Sequence, residues 1–301
     1  MKIVITGSLG HIGKPLTAAL IQKGHAVTVI SSKPEKQQAI EAMGAVAAIG
    51  GLQDLEFLAD VFEGADAVYA MVPPNPGVPD FRAYYQQIGN SYAQAIRETG
   101  VGRVVFLSSM GADLDKGTGV VLGAHDVEGI LGALTGVSLT ILRPGYFYYN
   151  LYSYVGQIKG LGFISDNFGG EDSIVMVSPD DIAAVAAEEL QATGSVPLIR
   201  YIASDERTAN EVARALGAAI GVPDLKWTVC TDAQRLEQLG KFGVPPVFAS
   251  SLVEMTASIH SGAFYGDYHA QKPVRSGKVK LEDFLGEFAA AFKQENVAQH
   301  G

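Results

Sequence analysis

The first dozen residues constrain this chain more than any other stretch. Ile3-Val4-Ile5 is a short run of β-branched apolar residues, which predicts a buried strand. The run breaks at Thr6-Gly7-Ser8-Leu9-Gly10-His11-Ile12-Gly13 and continues as a helical pattern carrying Ile12, Leu16, Ala19 and Leu20 on one face. Glycines at positions 7, 10 and 13 give the spacing G-x-x-G-x-x-G. Gly7 allows a tight turn, Gly10 lets backbone N–H groups approach an anion, and Gly13 lets the helix pack closely on the strand. The positive end of that helix would face a pyrophosphate. A glycine triplet alone says little, but one that follows a strand and opens a helix has the context of a dinucleotide-binding turn. The alternative is a glycine-rich turn with no ligand.

The bulk numbers fit that reading. A chain of 301 residues with 48% hydrophobic and 18% charged residues can bury a large core in one or two lobes. A formal charge of −10 argues against nucleic-acid or anionic-membrane binding through bulk electrostatics. The single cysteine, Cys230, forbids an intrachain disulfide and fits a reducing cytoplasm. Its plainest role is that of a half-buried strand residue. No apolar run reaches about 18 residues, so no membrane span is expected. Met1-Lys2 leads straight into the first strand, which leaves no room for a signal peptide. The six histidines show no metal-ligand spacing, and no metal is expected.

Up to about residue 145 short apolar runs alternate with helical patterns. Strands are predicted over 2–6, 26–31, 45–49, 67–71, 103–108 and 138–143, with helices over 11–23, 34–43, 55–62, 81–98 and 120–135. Such alternation means an α/β fold of Rossmann type, a doubly wound parallel sheet whose βα loops share one ligand-binding edge. Residues 1–150 should form this domain. Residues 151–301 should form a smaller α+β substrate lobe, with part of 173–203 returning to the main sheet. Gly156 to Gly170 has few apolar residues in register and reads as a mobile loop. Ser178-Pro179-Asp180-Asp181 is a strong helix start, the acids acting as caps. Further strands are expected over 173–177, 197–203 and 227–230, and helices over 208–220, 232–239, 247–260 and 281–292. Tyr265, Tyr268 and His269 could fold over a pocket, with loop packing the plainer reading.

The tail of the second strand bears on cofactor choice. Roughly 20 residues beyond the glycines, dinucleotide folds that bind NAD carry an acid for the ribose 2′-OH. Here Ile30-Ser31-Ser32-Lys33 supplies two hydroxyls and a cation, which suit a 2′-phosphate that an acid would repel. NADP(H) is therefore expected over NAD(H); the alternative is a solvated turn. Met71-Val72-Pro73-Pro74 ends the fourth strand as a stiff segment lacking two backbone donors. Ser108-Ser109-Met110-Gly111 ends the fifth, at the edge where a nicotinamide should lie. The sixth ends in Arg143-Pro144-Gly145-Tyr146-Phe147-Tyr148-Tyr149. These aromatics could line an apolar pocket for a planar substrate, or start a helix that packs the second lobe on the first.

Several of these segments together resemble the NmrA-like atypical short-chain dehydrogenases/reductases. They are Thr6 to Gly13, the Pro-Pro after the fourth strand, Ser108-Ser109, Leu142-Arg143-Pro144-Gly145-Tyr146-Phe147 and Ser178-Pro179-Asp180-Asp181-Ile182-Ala183. The resemblance runs from residue 1 to about 190. It implies a Rossmann fold and an NAD(P)H site, while members range from quinone and dye reductases to redox-sensing regulators that bind cofactor without turnover. Classical relatives carry Tyr-x-x-x-Lys on the helix after the fifth strand. That helix here reads Gly123-Ala124-His125-Asp126-Val127-Glu128-Gly129, with His125 in the tyrosine's place and Gly129 in the lysine's. A histidine can serve as acid or base near neutral pH; a helix-packing role is the alternative. The acid that often follows the third strand in the family is replaced by Gly50-Gly51.

The expected cofactor residues are Thr6, Gly7, Leu9, Gly10, His11, Ile12 and Gly13 at the pyrophosphate and Ser31, Ser32 and Lys33 at the 2′-phosphate. Met71, Val72, Pro73, Ser108 and Pro144 should border the nicotinamide. Pro74, Met110, Tyr146 and Phe147 should line the substrate pocket, with Ser109, His125 and Tyr146 as catalytic candidates. The expected activity is hydride transfer from NADP(H) to an apolar planar acceptor such as a quinone, whose product oxyanion is resonance-stabilised and needs little help from the protein. The alternative is a non-catalytic NADP(H)-sensing regulator that holds a protein partner. A homodimer also stays open, and a sugar-nucleotide epimerase ranks last for want of a tyrosine base.

Overall fold

Each apolar run of the N-terminal half forms a strand of one parallel sheet. The computed structural model describes residues 1–194, 196–271, 273 and 277–294. In chain order the elements are β1 (Lys2–Ile5), α1 (Gly13–Gln22), β2 (Ala26–Ser31), α2 (Gln37–Ala42), β3 (Val46–Ile49), α3 (Leu55–Phe62), β4 (Ala67–Ala70), α4 (Phe81–Thr99), β5 (Arg103–Leu107), α5 (Leu122–Gly132) and β6 (Ser138–Pro144). The second half adds β7 (Tyr146–Phe147), α6 (Val155–Leu161), β8 (Ile164–Asp166), β9 (Ser173–Val177), α7 (Pro179–Leu190), β10 (Ile199–Ile202) and β11 (Asp205–Thr208). It ends with α8 (Ala209–Ile220), β12 (Trp227–Val229), α9 (Asp232–Lys241), α10 (Pro246–His260), α11 (Gly266–Gln271) and α12 (Leu281–Lys293).

The main sheet has seven parallel strands in the order β10-β6-β5-β4-β1-β2-β3. The strand order reverses between β1 and β4, and in open sheets of this kind ligands bind at the carboxyl edge of that switch point. Both faces are apolar. Leu16 and Leu20 of α1 and Ile182, Ala186 and Leu190 of α7 cover one. Leu58, Ile88, Tyr92, Ile96, Val127 and Leu131 from α3, α4 and α5 cover the other. A third cluster of buried residues packs β7 to β9 against α8, α12 and the turn at Phe264-Tyr265.

Local chemistry explains several helix ends. Asp54 accepts the Phe57 amide at 3.1 Å, Asp80 accepts that of Ala83 at 2.9 Å, and Gly100 closes α4 in the left-handed region at φ 70°. The helix expected over 120–135 is shorter, α5 following a 3₁₀ turn at Gly119–Val121. Gly119 has φ +51° and lies so close to α10 that a Cβ there would meet the Ser251 carbonyl at 1.8 Å. Ser178 caps α7, accepting the Asp180 amide. Asp181 does more than cap. It is buried and accepts from Ser204 Oγ (2.6 Å) and from the amides of Lys278 (2.9 Å) and Val279 (3.0 Å), tying the C-terminal strap to the sheet.

Residues 156–170 correct an expectation: they form most of α6 and all of β8, with Ile158, Ile164 and Phe168 buried. β8 pairs in parallel with β12, Ile164 opposite Trp227. The apolar pattern is sparse because polar side chains fill this interior and satisfy one another. Asp166 accepts Tyr154 Oη at 2.7 Å and faces Arg235 Nε at 2.9 Å, while Asn167 donates to Asp232 and accepts from Thr256. The polar strand β11, Asp205-Glu206-Arg207-Thr208, is unforeseen for the same reason: it pairs antiparallel with β9 while Arg207 bridges Asp205 and Glu282. Tyr265 and Tyr268 are buried in the third cluster and serve packing.

Candidate cofactor and active site

The glycine loop shows which of its glycines the protein needs for itself. Gly7 sits at φ +90°, and a Cβ there would meet Met71 Sδ at 2.7 Å. At Gly13 a Cβ would meet the Ser8 carbonyl oxygen at 2.1 Å, so this glycine permits the loop to fold back on the first turn of α1. Gly10 is different. It is exposed, and the nearest atom to a Cβ would be the Gly7 oxygen at an ordinary 3.6 Å. The protein's own packing therefore leaves position 10 open. Ser8 takes φ +59°, rare for a side-chain-bearing residue, and its buried hydroxyl has no partner among the described residues. The N-terminus of α1 has neither a side-chain cap nor an acid in its first turn. An open cradle, an orphaned hydroxyl and an uncapped helix end fit a pyrophosphate.

The residues predicted beside the loop divide by role. Thr6 is buried, and its hydroxyl accepts the Met71 amide at 2.9 Å, so it bridges β1 to β4 across the switch point. Tyr92 Oη steadies the same place by donating to the Met71 carbonyl at 2.7 Å. Ile12 packs into the core with Leu16, whereas His11 is exposed. Ser31 is 3% exposed, and its hydroxyl accepts the Lys33 amide at 3.2 Å; it shapes the turn and leaves Ser32 and Lys33 facing outward. Gly50 is required by packing, since a Cβ there would meet the Phe57 ring at 2.6 Å. Val72 is buried, Pro73 half-buried and Pro74 exposed.

At the far end, the chain beyond β5 stays zipped to β6: Ser108 N donates to Leu142 O at 2.8 Å and Met110 N to Pro144 O at 3.0 Å. Gly145 allows β9 to pass, a Cβ there meeting the Val175 carbonyl at 2.3 Å. Ser109 is half-buried, whereas Met110 is fully buried against the third cluster. His125 donates from Nδ1 to the Ala112 carbonyl at 2.8 Å, which fixes its ring and leaves Nε2 as the exchangeable nitrogen.

The aromatic run divides between two packing environments. Tyr148, Leu151 and Tyr154 are buried in the third cluster, where Tyr148 stacks on Phe284 and Tyr154 meets Trp227 edge-on. Phe147, like Leu9 and Met71, packs against the core on the α1 side, and Tyr149 stacks on His11 with centroids 4.4 Å apart. Tyr146 turns the other way, into the third cluster. Burial pushes its ionisation up, opposed by a hydrogen bond with Tyr154, so it stays a neutral phenol near neutral pH.

Two residues that sequence reasoning did not assign sit beneath this edge. Arg143, on β6, is 5% exposed and grips Glu128 of α5 through Nε (3.0 Å to Oε1) and Nη2 (2.6 Å to Oε2). Its Nη1 donates to Tyr201 Oη at 3.0 Å, and Tyr201 in turn donates to Asp267. Burial alone would lower the Arg143 pKa, but the bonds to Glu128 raise it above its ordinary value. Ser108 Oγ donates to Glu128 Oε1 at 2.5 Å. The available signal was an arginine inside an apolar strand, Ile141-Leu142-Arg143, which demands a buried partner.

Comparisons with known proteins agree with this fold. Residues 7–193 match the family described as NAD(P)H-binding. Over 262 residues the chain is 26% identical to (4-alkanoyl-5-oxo-2,5-dihydrofuran-3-yl)methyl phosphate reductase of Streptomyces griseus, covering 87% of this chain and 88% of that one. It is also 26% identical over 258 residues to the NAD(P)H azoreductase of Xenophilus azovorans, covering 85% and 86%. NADPH-dependent quinone oxidoreductase QOR2 of Escherichia coli, solved with NADPH, shares the fold with a TM-score of 0.81 at 20% identity, over 95% of this chain and 99% of that one. The Citrobacter sp. triphenylmethane reductase, solved with NADP(H), superposes with a TM-score of 0.77 at 18% identity over 95% and 99%. With its glycine loop, its switch point and a family match spanning most of the first two hundred residues, the chain belongs to the NAD(P)H-binding family of Rossmann-type proteins.

Proposed function

We propose that this protein is an NADP(H)-dependent oxidoreductase that reduces an apolar, planar acceptor such as a quinone. The observation that carries the reading is the open cradle at Gly10, on an edge where Ser108 and His125 are each held by a hydrogen bond, to Glu128 and to the Ala112 carbonyl. When bound, the dihydronicotinamide supplies a hydride from its C4 atom. Backbone N–H groups of the 7–13 loop hold the pyrophosphate, and Ser32 and Lys33 take the 2′-phosphate. Leu9, Met71, Phe147 and Tyr149 form the apolar wall against which a planar ring lies. Val72, Pro73 and Pro144 border the nicotinamide and Pro74 flanks the acceptor, whereas Met110, expected there from the sequence, is taken up by the third cluster.

α5 carries no Tyr-x-x-x-Lys pair, which suits an acceptor whose product oxyanion is delocalised and needs alignment more than acid catalysis. His125, its ring fixed through Nδ1, exchanges the remaining proton through Nε2, and the half-buried Ser109 is the second candidate donor. Tyr146, packed into the third cluster as a neutral phenol, takes no part in the chemistry. The names of the two relatives above, a dihydrofuranylmethyl phosphate reductase and an azoreductase, support a reductase. The test is NADPH oxidation across quinones, azo dyes and simple ketones. Quinone turnover well above ketone turnover, reduced about tenfold in His125→Asn, is the expected result. Tight cofactor binding with no turnover of any acceptor would favour the sensing regulator.

A further inference from the structure

The serine at the reaction edge has its only proton committed. Ser108 Oγ donates to Glu128 Oε1 at 2.5 Å, and the carboxylate has no proton to return. The two Arg143 bonds at 3.0 and 2.6 Å hold that carboxylate in place, while Tyr201 holds the guanidinium from behind at 3.0 Å. Ser108 therefore cannot turn its O–H outward without breaking a charge-assisted bond. Its remaining lone pairs meet no donor among the described residues. This serine follows the last residue of β5, three strand intervals from the end of β2, which is about 14 Å along the sheet edge. A dinucleotide anchored at Ser32 and Lys33 and crossing the glycine loop spans such a distance.

We infer that Ser108, locked by the Glu128–Arg143 pair, meets the cofactor as a hydrogen-bond acceptor and reads the N–H of the nicotinamide carboxamide. Glu128 and Arg143 are positioning residues in this arrangement. The inference rests on NAD(P)H binding at this edge, and it reverses the polarity expected of a serine that donates to a substrate carbonyl.

Replacing the carboxamide by an acetyl group keeps the carbonyl and removes the N–H, so the 3-acetylpyridine analogues of NADP⁺ and NAD⁺ isolate the contact. Calorimetric titration of the full chain should show the parent nucleotide binding about tenfold more tightly than its analogue, equivalent to about 1.4 kcal/mol. In Ser108→Ala the parent should lose about tenfold while the analogue changes less than about twofold, so the ratio collapses. Glu128→Gln, whose amide can donate to Ser108 and free its proton, should collapse the ratio as well, an effect that loss of packing alone would not produce. If Glu128→Gln fails to fold by circular dichroism, Ser108→Ala decides. An analogue that binds the wild type as tightly as its parent, or a ratio that survives Ser108→Ala, overturns the inference. Failure of either parent nucleotide to bind at all would instead overturn the cofactor reading beneath it.

Discussion

Gly10 separates what the fold needs from what the ligand needs. Gly10→Ala adds a Cβ whose nearest protein atom lies at 3.6 Å, an ordinary contact, and no positive φ is imposed there. Folding should therefore tolerate it. Lower entropy of the unfolded chain should leave stability unchanged or raised by about 0.4–1 kcal/mol. The same methyl group stands in the open cradle, where it keeps a phosphate oxygen from the backbone amides. Loss of one charge-assisted hydrogen bond of about 1.5–3 kcal/mol corresponds to roughly a 10- to 150-fold rise in the NADPH dissociation constant. Gly13→Ala is the control: its Cβ would lie 2.1 Å from a backbone oxygen, so the loop must move and the protein should lose several kcal/mol. Urea denaturation and NADPH fluorescence titration of both variants read the two effects apart. Gly10→Ala that binds NADPH within about twofold of wild type, or that unfolds like Gly13→Ala, would refute the reasoning.

Other perturbations follow from the same geometry. Lys33→Ala should weaken NADPH about tenfold and leave NADH unchanged in parallel titrations, because only the former carries the 2′-phosphate. Asp181→Ala strands the amides of Lys278 and Val279 and should lower the urea midpoint by the equivalent of about 2–4 kcal/mol. Burial pushes Tyr85 up to about 12, with Tyr84 adding to the rise, and raises Tyr69 and Tyr92 as well. The folded state keeps these protons while the unfolded chain releases them near pH 10. Stability should be intact below about pH 10 and fall as pH rises towards 12. Phenolate absorbance followed alongside circular dichroism should show these tyrosines ionising only as the fold is lost.

The parallel sheet was legible because both of its faces are covered, so its strands are mostly apolar runs set between helical stripes; β2, α3 and β9 match their predicted bounds. The glycine loop was legible because its conformation excludes other residues at Gly7 and Gly13. What escaped is polar structure buried by mutual satisfaction. The α6–β8 segment and β11 look like loops until Tyr154, Arg235 and Glu282 are brought to them from elsewhere in the chain. Ser31 looked like a ligand because its own turn had not yet claimed the hydroxyl. Glu128 and Arg143, 15 positions apart, become one unit only when β6 and α5 meet.

The most direct test of the central claim is one cuvette. The purified protein is titrated with NADPH and then NADH by fluorescence, after which menadione is added and the reduced-nicotinamide absorbance followed. Tighter binding of NADPH than of NADH, followed by its oxidation when the quinone arrives, is the result this account predicts. Absence of NADPH binding would contradict the cradle at Gly10, and tight binding with unchanged absorbance would contradict the reductase and leave a cofactor sensor in its place.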